Sequence, residues 1–260
     1  MAIPVFERAL RHDRVLFISA LLIAVVLCWA YLLAGAGVMT GMTGDADEMA
    51  MSPSAWTLSH ALMMFLMWSI MMVAMMLPGA APMLLLFATI AGARQTPARR
   101  MVVSGTFALG YISVWTAFSL AAVALQFALE RAALLSPMMQ ATSTAMAGTV
   151  LVAAGIYQWT PLKHACLRHC RSPLDFVLMH WREGLYGAYA MGLRHGMYCL
   201  GCCWMLMLLL FVGGVMNLAW IAGLALLVLV EKLVPAGHWV GRIIGAVLVT
   251  WGSVVLLTLY

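Results

Sequence analysis

Cysteine and histidine gather in two short stretches of this chain, and both have the spacing of a metal site. The first is Lys163-His164-Ala165-Cys166-Leu167-Arg168-His169-Cys170-Arg171, where four soft or borderline donors fall within seven residues. Thiolate and imidazole are the side chains that bind Cu(I) and Zn(II) best, and Cys166 and Cys170, four apart, share a helical face. Arg168 and Arg171 beside them are expected to lower the thiol pKa values and favour the metal-binding thiolate. The plainer reading is a basic loop that touches anionic lipid and happens to contain two thiols.

The second stretch is His195-Gly196-Met197-Tyr198-Cys199-Leu200-Gly201-Cys202-Cys203-Trp204. At about 100° per residue, His195, Cys199 and Cys202 fall within about 60° of arc, with Met191 on the same side and Cys203 slightly off the line. A free cysteine is often only a small buried hydrophobe. Three of them within five residues, preceded by His and Arg in an apolar helix, point instead to ligands.

A third pattern is the methionine run that begins at His60 and ends at Pro78. His60, Met64, Met67, Met71 and Met75 fit inside about 80° of a helical wheel and form a ladder of roughly 22 Å. Thioethers are neutral, soft ligands, so such a ladder passes Cu(I) without burying fixed charge in lipid. Methionine is also a flexible core filler, and packing alone accounts for a stripe of it. Met39, Met42, Met49 and Met51, in an acidic segment with Asp45, Asp47 and Glu48, are expected to collect the ion first.

The elements that must position these groups are set by composition. Of 260 residues 65% are apolar and 9% charged, and the mean hydropathy is +1.01. A soluble domain carries about 25% charged residues. Apolar runs of 18 or more residues recur, each able to cross a hydrocarbon core of roughly 30 Å. The fold class expected is all-α, a polytopic transmembrane helix bundle of six to seven spans forming one integral membrane domain over 1–260. The spans are expected at Val15 to Gly37, Ala55 to Pro78 with an apolar continuation to Gly92, and Met101 to Leu129. Four more run from Met138 to Trp159, Gly184 to Val212, Leu218 to Val234 and Trp239 to Tyr260. The first is too long for a cleavable signal segment and reads as an uncleaved anchor. The second is expected to be one helix bent at Pro78.

Orientation follows from Lys and Arg, which cytoplasmic loops retain during insertion. Arg8, Arg11 and Arg14 precede the first span; Arg94, Arg99 and Arg100 follow the second; Lys163, Arg168, Arg171 and Arg182 follow the fourth. Lys232, Arg242 and Arg194 lie at the same level, and only Arg131 falls opposite. The N-terminal segment 1–14 and the Cys/His loop 160–184 are therefore cytoplasmic, and the Met-rich acidic loop 38–54 is external. The net charge of +5 is a topology signal, and nucleic acid is not an expected partner. Glu231 and Lys232 close the sixth span and read equally well as an interfacial salt bridge or a functional pair.

These residues carry a family resemblance. Trp68, Met71, Met72, Ala74, Met75, Met76 and Pro78 belong to it, as do Thr160-Pro161-Leu162-Lys163, Cys166-Leu167, Cys170-Arg171 and Pro173. So do Gly192, Gly196, Cys199, Gly201-Cys202-Cys203-Trp204, Leu206-Met207, Met216-Asn217-Leu218 and Glu231-Lys232. Over roughly residues 60–250 the chain resembles a family of bacterial integral membrane proteins predicted to bind metal, whose function is otherwise undefined. The resemblance implies a multi-pass protein of the bacterial inner membrane. The preference for copper over zinc comes from ligand softness in this chain.

The leading functional expectation is Cu(I) handling through Met and Cys/His sites, by ligand exchange and without covalent chemistry on the metal. The ligands expected are Cys166, Cys170, His195, Cys199 and Cys202, with Cys203, His164 and His169 as further ones and His60, Met64, Met67, Met71 and Met75 as the conduit. No Gly-x4-Gly-Lys-Ser/Thr loop is present, so any transport is downhill, ion-coupled or driven by a partner. Besides the lipid bilayer, a metallochaperone or another membrane protein is the expected partner. Two other classes compete: a thiol-disulfide relay joining Cys199 and Cys202 to Cys166 and Cys170, and a haem or quinone protein using His60 or His195. Vicinal Cys202 and Cys203 argue against the relay by inviting wrong pairing.

The charge pattern makes one outcome checkable. A reporter fused after Tyr260 should lie outside the cell membrane, and one inserted near Arg100 or Arg171 inside. A cytoplasmic signal from the Tyr260 fusion would mean that one span has been miscounted.

Overall fold

A computed structural model describes residues 3–41, 56–92, 96–136 and 139–258, and almost all of these are helical. Of the Met-rich acidic segment 38–54, residues 42–54 lie outside the described residues, as does Arg94. In chain order the helices are α1 (Ile3–Gly41), α2 (Leu58–Gly92), α3 (Pro97–Arg131), α4 (Thr144–Tyr157), α5 (Pro161–Arg171) and α6 (Pro173–His180). They continue with α7 (Gly184–Leu208), the single turn α8 (Leu210–Gly213), α9 (Leu218–Leu233) and α10 (Gly237–Leu257).

Local chemistry sets where the shorter helices begin. Ser143 accepts from the Met146 amide at 3.3 Å to cap α4, and Asn217 accepts from the Trp220 amide at 3.2 Å to cap α9. Thr160 caps α5 through the Lys163 amide at 3.3 Å, with Pro161 next to it. Proline at that position lacks only an N–H that a first turn leaves unpaired. The span 160–184, expected as a loop, is thus largely helix, since Thr160-Pro161 and Ser172-Pro173 each start one.

Among the described residues five helices are long and apolar enough to cross a membrane: Val15–Gly35, Leu58–Ala91, Ala98–Arg131, Gly184–Gly213 and Gly237–Leu257. The other two expected spans are shorter helices, α4 with 14 residues and α9 with 16. At 1.5 Å per residue these reach roughly 21 and 24 Å, less than a hydrocarbon core of about 30 Å. Helix α4 starts late because the chain before it makes turns, with Met139 N donating to Ser136 O at 2.8 Å and Thr142 N to Leu134 O at 3.0 Å. Helix α2 runs unbroken through Pro78 and Pro82, although each proline deprives the carbonyl four residues earlier of its partner.

The most extensive packing joins α3 to α7, followed by α4 against α10 and α2 against α3. Where α3 and α7 cross, Gly110 faces the Tyr189 carbonyl and Gly192 the Phe107 carbonyl, with no space for a β-carbon on either. A β-carbon on Gly155 of α4 would sit 2.7 Å from the Gly245 carbonyl of α10, and one on Gly252 would sit 2.8 Å from the Gly148 carbonyl. Such close approach maximises dispersion contact between apolar helices that gain little else from meeting. It also fixes the height of Tyr111 on α3 against Cys199 on α7.

Backbone contact at the crossing sets a stability expectation. Gly192→Ala should destabilise the protein by about 1–3 kcal/mol or more, as an overpacked core position does. Gly223→Ala on α9, where a β-carbon meets nothing within 4 Å, should be neutral or better. Thermal unfolding of both variants in one detergent checks this, and equal midpoints would contradict the crossing.

Candidate metal centre

The thiols of α7 stand inside the bundle. Cys199, Cys202 and Cys203 are all buried, with exposures of 1%, 2% and 0%. Cys202 Sγ and Cys203 Sγ each donate to the Cys199 carbonyl at 3.0 Å, folding back along their own helix. Helix α5 lies across this stretch. Its Cys166 Sγ rests on Gly201, at 2.6 Å from where a β-carbon would be, and its Cys170 thiol interacts with those of Cys199 and Cys202. The five cysteines from the two sequence clusters therefore share one neighbourhood. All are free thiols.

Helices α2, α3 and α9 close the other sides. Tyr111 OH lies 3.0 Å from Cys199 Sγ and 3.0 Å from the Met76 carbonyl. Cys203 Sγ is 3.9 Å from Met76 Sδ. Lys232 Nζ reaches Cys199 Sγ at 3.0 Å and Met76 Sδ at 4.0 Å. The lysine stem passes over Gly79, whose missing side chain leaves the path open: a β-carbon there would be 3.1 Å from Lys232 Cδ. Glu231, one residue earlier, turns elsewhere, pairing with buried Lys163 at 2.7 Å and accepting from Gln158 at 3.2 Å. Lys163 also donates to Gln158. Glu231 and Lys232 are thus not paired with each other, because consecutive positions diverge by about 100° on a helix.

Histidines divide between the centre and its surroundings. His195 is buried, 2% exposed, one turn before Cys199, with ring centroids 5.5 Å from Phe176, 5.7 Å from Tyr111 and 6.2 Å from Phe107. Its Nδ1 has no hydrogen-bond partner among the described residues. His169 turns away, with Nδ1 2.9 Å from the Ala165 carbonyl and its ring stacked on Tyr198 at 4.2 Å. His164 faces the other way, and burial, then Arg242 and Lys163, push its pKa down. His60 stands far off beside Trp56, roughly 24 Å along α2 from Met76 at 1.5 Å per residue. Met64, Met67, Met71 and Met75 are all buried in the core between these two ends.

The arginines of α5 do not act on its thiols as expected. Arg171 reaches across to the Val234 carbonyl at 2.8 Å and to the Pro235 carbonyl. Burial pushes the Cys166 thiol pKa up, with Cys202 adding to it. Hydrogen bonds to Cys199 and Cys202, and then burial, hold that of Cys170 well above its ordinary value. Among the described residues no three His, Cys, Asp or Glu side chains form a ready-made metal-holding group, and Cys202 and Cys203 are turned onto the Cys199 carbonyl. Met76, Tyr111 and the direction of Lys232 escaped sequence reasoning. Met76 carried a signal as a member of the methionine run, and Lys232 as an ionisable residue paired in sequence with Glu231.

A raised pKa leaves less thiolate at a given pH. Alkylation of Cys166 and Cys170 in metal-free protein should therefore rise with pH through a midpoint above the ordinary thiol value of about 8.5. Rates read by mass spectrometry for each cysteine check this, and a midpoint below that value would restore the arginine effect.

A family model described as PpoB2, copper chaperone, matches residues 65–255. No curated protein and no solved structure matches the chain.

Proposed function

We propose, for a chain that belongs to the PpoB2 copper chaperone family, that it is a membrane protein which takes up Cu(I) on soft side chains and hands it on by ligand exchange. The observation that carries this reading is the meeting of the α5 thiols with those of α7, whose Cys203 lies 3.9 Å from Met76 at the end of the methionine run of α2. Cys199 and Cys202 are the primary ligands, Cys170 and Cys166 are exchange partners brought by α5, and His195 is a neutral donor at the edge. Cu(I) accepts two or three thiolates, so it needs no closed four-ligand shell of the kind Zn(II) demands. Loading requires Cys202 and Cys203 to rotate off the Cys199 carbonyl, a rotamer change within one helix.

The buried methionines Met64, Met67, Met71 and Met75 serve as the route between the thiol centre and the His60 end of α2. Five helices apolar enough to cross a membrane support a route within a bilayer, and the basic residues of α5 favour a cytoplasmic position for the thiols. A copper-family assignment favours metal transfer over the thiol-disulfide relay, which would use the same cysteines.

Copper counting on purified protein tests the reading. Cys199→Ser with Cys202→Ser should abolish stoichiometric copper and leave the helical circular dichroism unchanged, because serine is small and a poor soft-metal ligand. Replacing Met64, Met67, Met71 and Met75 together by leucine should cost little stability, under about 1.5 kcal/mol per volume-conserving swap, and leave the thiols loadable while slowing copper passage in vesicles. Full copper occupancy in the serine variant would move the centre elsewhere.

A further inference from the structure

Lys232 is the unexplained member of the centre. Its side chain is 5% exposed, among apolar helices, and among the described residues its ammonium hydrogen-bonds to sulfur alone: Cys199 Sγ at 3.0 Å and Met76 Sδ at 4.0 Å. The nearest carboxylate in sequence, Glu231, is already matched by Lys163. Gly79, just after Pro78 in α2, supplies the gap through which the lysine stem reaches the sulfurs. A lysine aimed at a cysteine in so apolar a place calls for a purpose, since an isolated buried cation is costly.

We propose that the Lys232 ammonium is the counter-charge that makes this centre prefer a monovalent soft ion to a divalent one. The inference rests on the copper reading above. Two thiolates and one Cu(I) sum to one net negative charge, which the adjacent ammonium cancels. The same two thiolates with Zn(II) are already neutral, and the ammonium then leaves one positive charge buried and unmatched. In surroundings of low dielectric constant that difference bears on affinity far more than it would in water. Tyr111 complements the arrangement, because its hydroxyl can turn its single hydrogen from the Met76 carbonyl to the Cys199 sulfur. The centre thus adds selection by charge to the preference that ligand softness already gives Cu(I).

The test is a pair of competition titrations on purified protein, Cu(I) against a Cu(I) chelator and Zn(II) against a zinc chelator. Lys232→Gln removes the charge without adding a soft ligand, and Lys232→Arg keeps the charge. In Lys232→Gln the ratio of Cu(I) to Zn(II) affinity should fall about tenfold or more, with Zn(II) binding held or strengthened. Lys232→Arg should keep the wild-type ratio, and Zn(II) retained by Lys232→Gln shows its thiols still in place. An unchanged ratio in Lys232→Gln, loss of both ions together, or an equal fall in Lys232→Arg overturns the inference while leaving copper binding standing. A wild-type protein that loads no Cu(I) removes the copper reading itself and this inference with it.

Discussion

Two lysine ammonium groups are buried in a bundle of apolar helices, and everything near the thiols is arranged around meeting them. An unmatched charge in such surroundings is expensive. Lys163 is met by Glu231 and Gln158, so α5, α9 and α4 are tied together at one point. Lys232 is met by the Cys199 sulfur, so α9 is tied to α7. Because the two tie points are Glu231 and Lys232, adjacent on α9, that helix can satisfy both only in one rotation. The same rotation lays α5, with Cys166 and Cys170, across Cys199 and Cys202.

Glycine and proline make the geometry reachable. Gly110 and Gly192 bring α3 and α7 into backbone contact, which sets Tyr111 beside Cys199. Gly201 lets the Cys166 thiol lie directly on α7, and Gly79 clears the path of Lys232. A larger residue at either of the last two positions would push a functional side chain away from the centre while leaving the helices formed.

Much of this was legible in the chain. Apolar runs gave every long helix, because burial of that length and composition admits little else. The periodicity of His195, Cys199 and Cys202 put them on one face, and all three are buried together. The segment 160–184 reads as a loop because its charges hide two helix starts, the capped Thr160-Pro161 and Ser172-Pro173. What could not be read was contact between helices distant in sequence. Tyr111 meets Cys199 across 88 positions and Lys232 meets Met76 across 156, and no local spacing encodes either. Proximity in sequence is likewise not proximity in space: Arg171, next to Cys170, is turned toward the start of α10.

Under the copper reading, the order of donors also sets where the ion rests. Methionine thioethers are neutral, so Cu(I) among Met64, Met67, Met71 and Met75 keeps its full charge inside the bundle. At the thiols that charge is cancelled, and the balance with Lys232 is complete. Electrostatics therefore make the run of α2 a passage and the centre a trap. An ion held this way leaves only to a competing soft ligand, and burial of Cys199, Cys202 and Cys203 bars a partner's thiol from reaching them directly. Cys166 and Cys170 are only half-buried and sit on an eleven-residue helix. Under the same reading they are the sulfurs open to a partner, and exchange through α5 would join the buried thiols to the solvent.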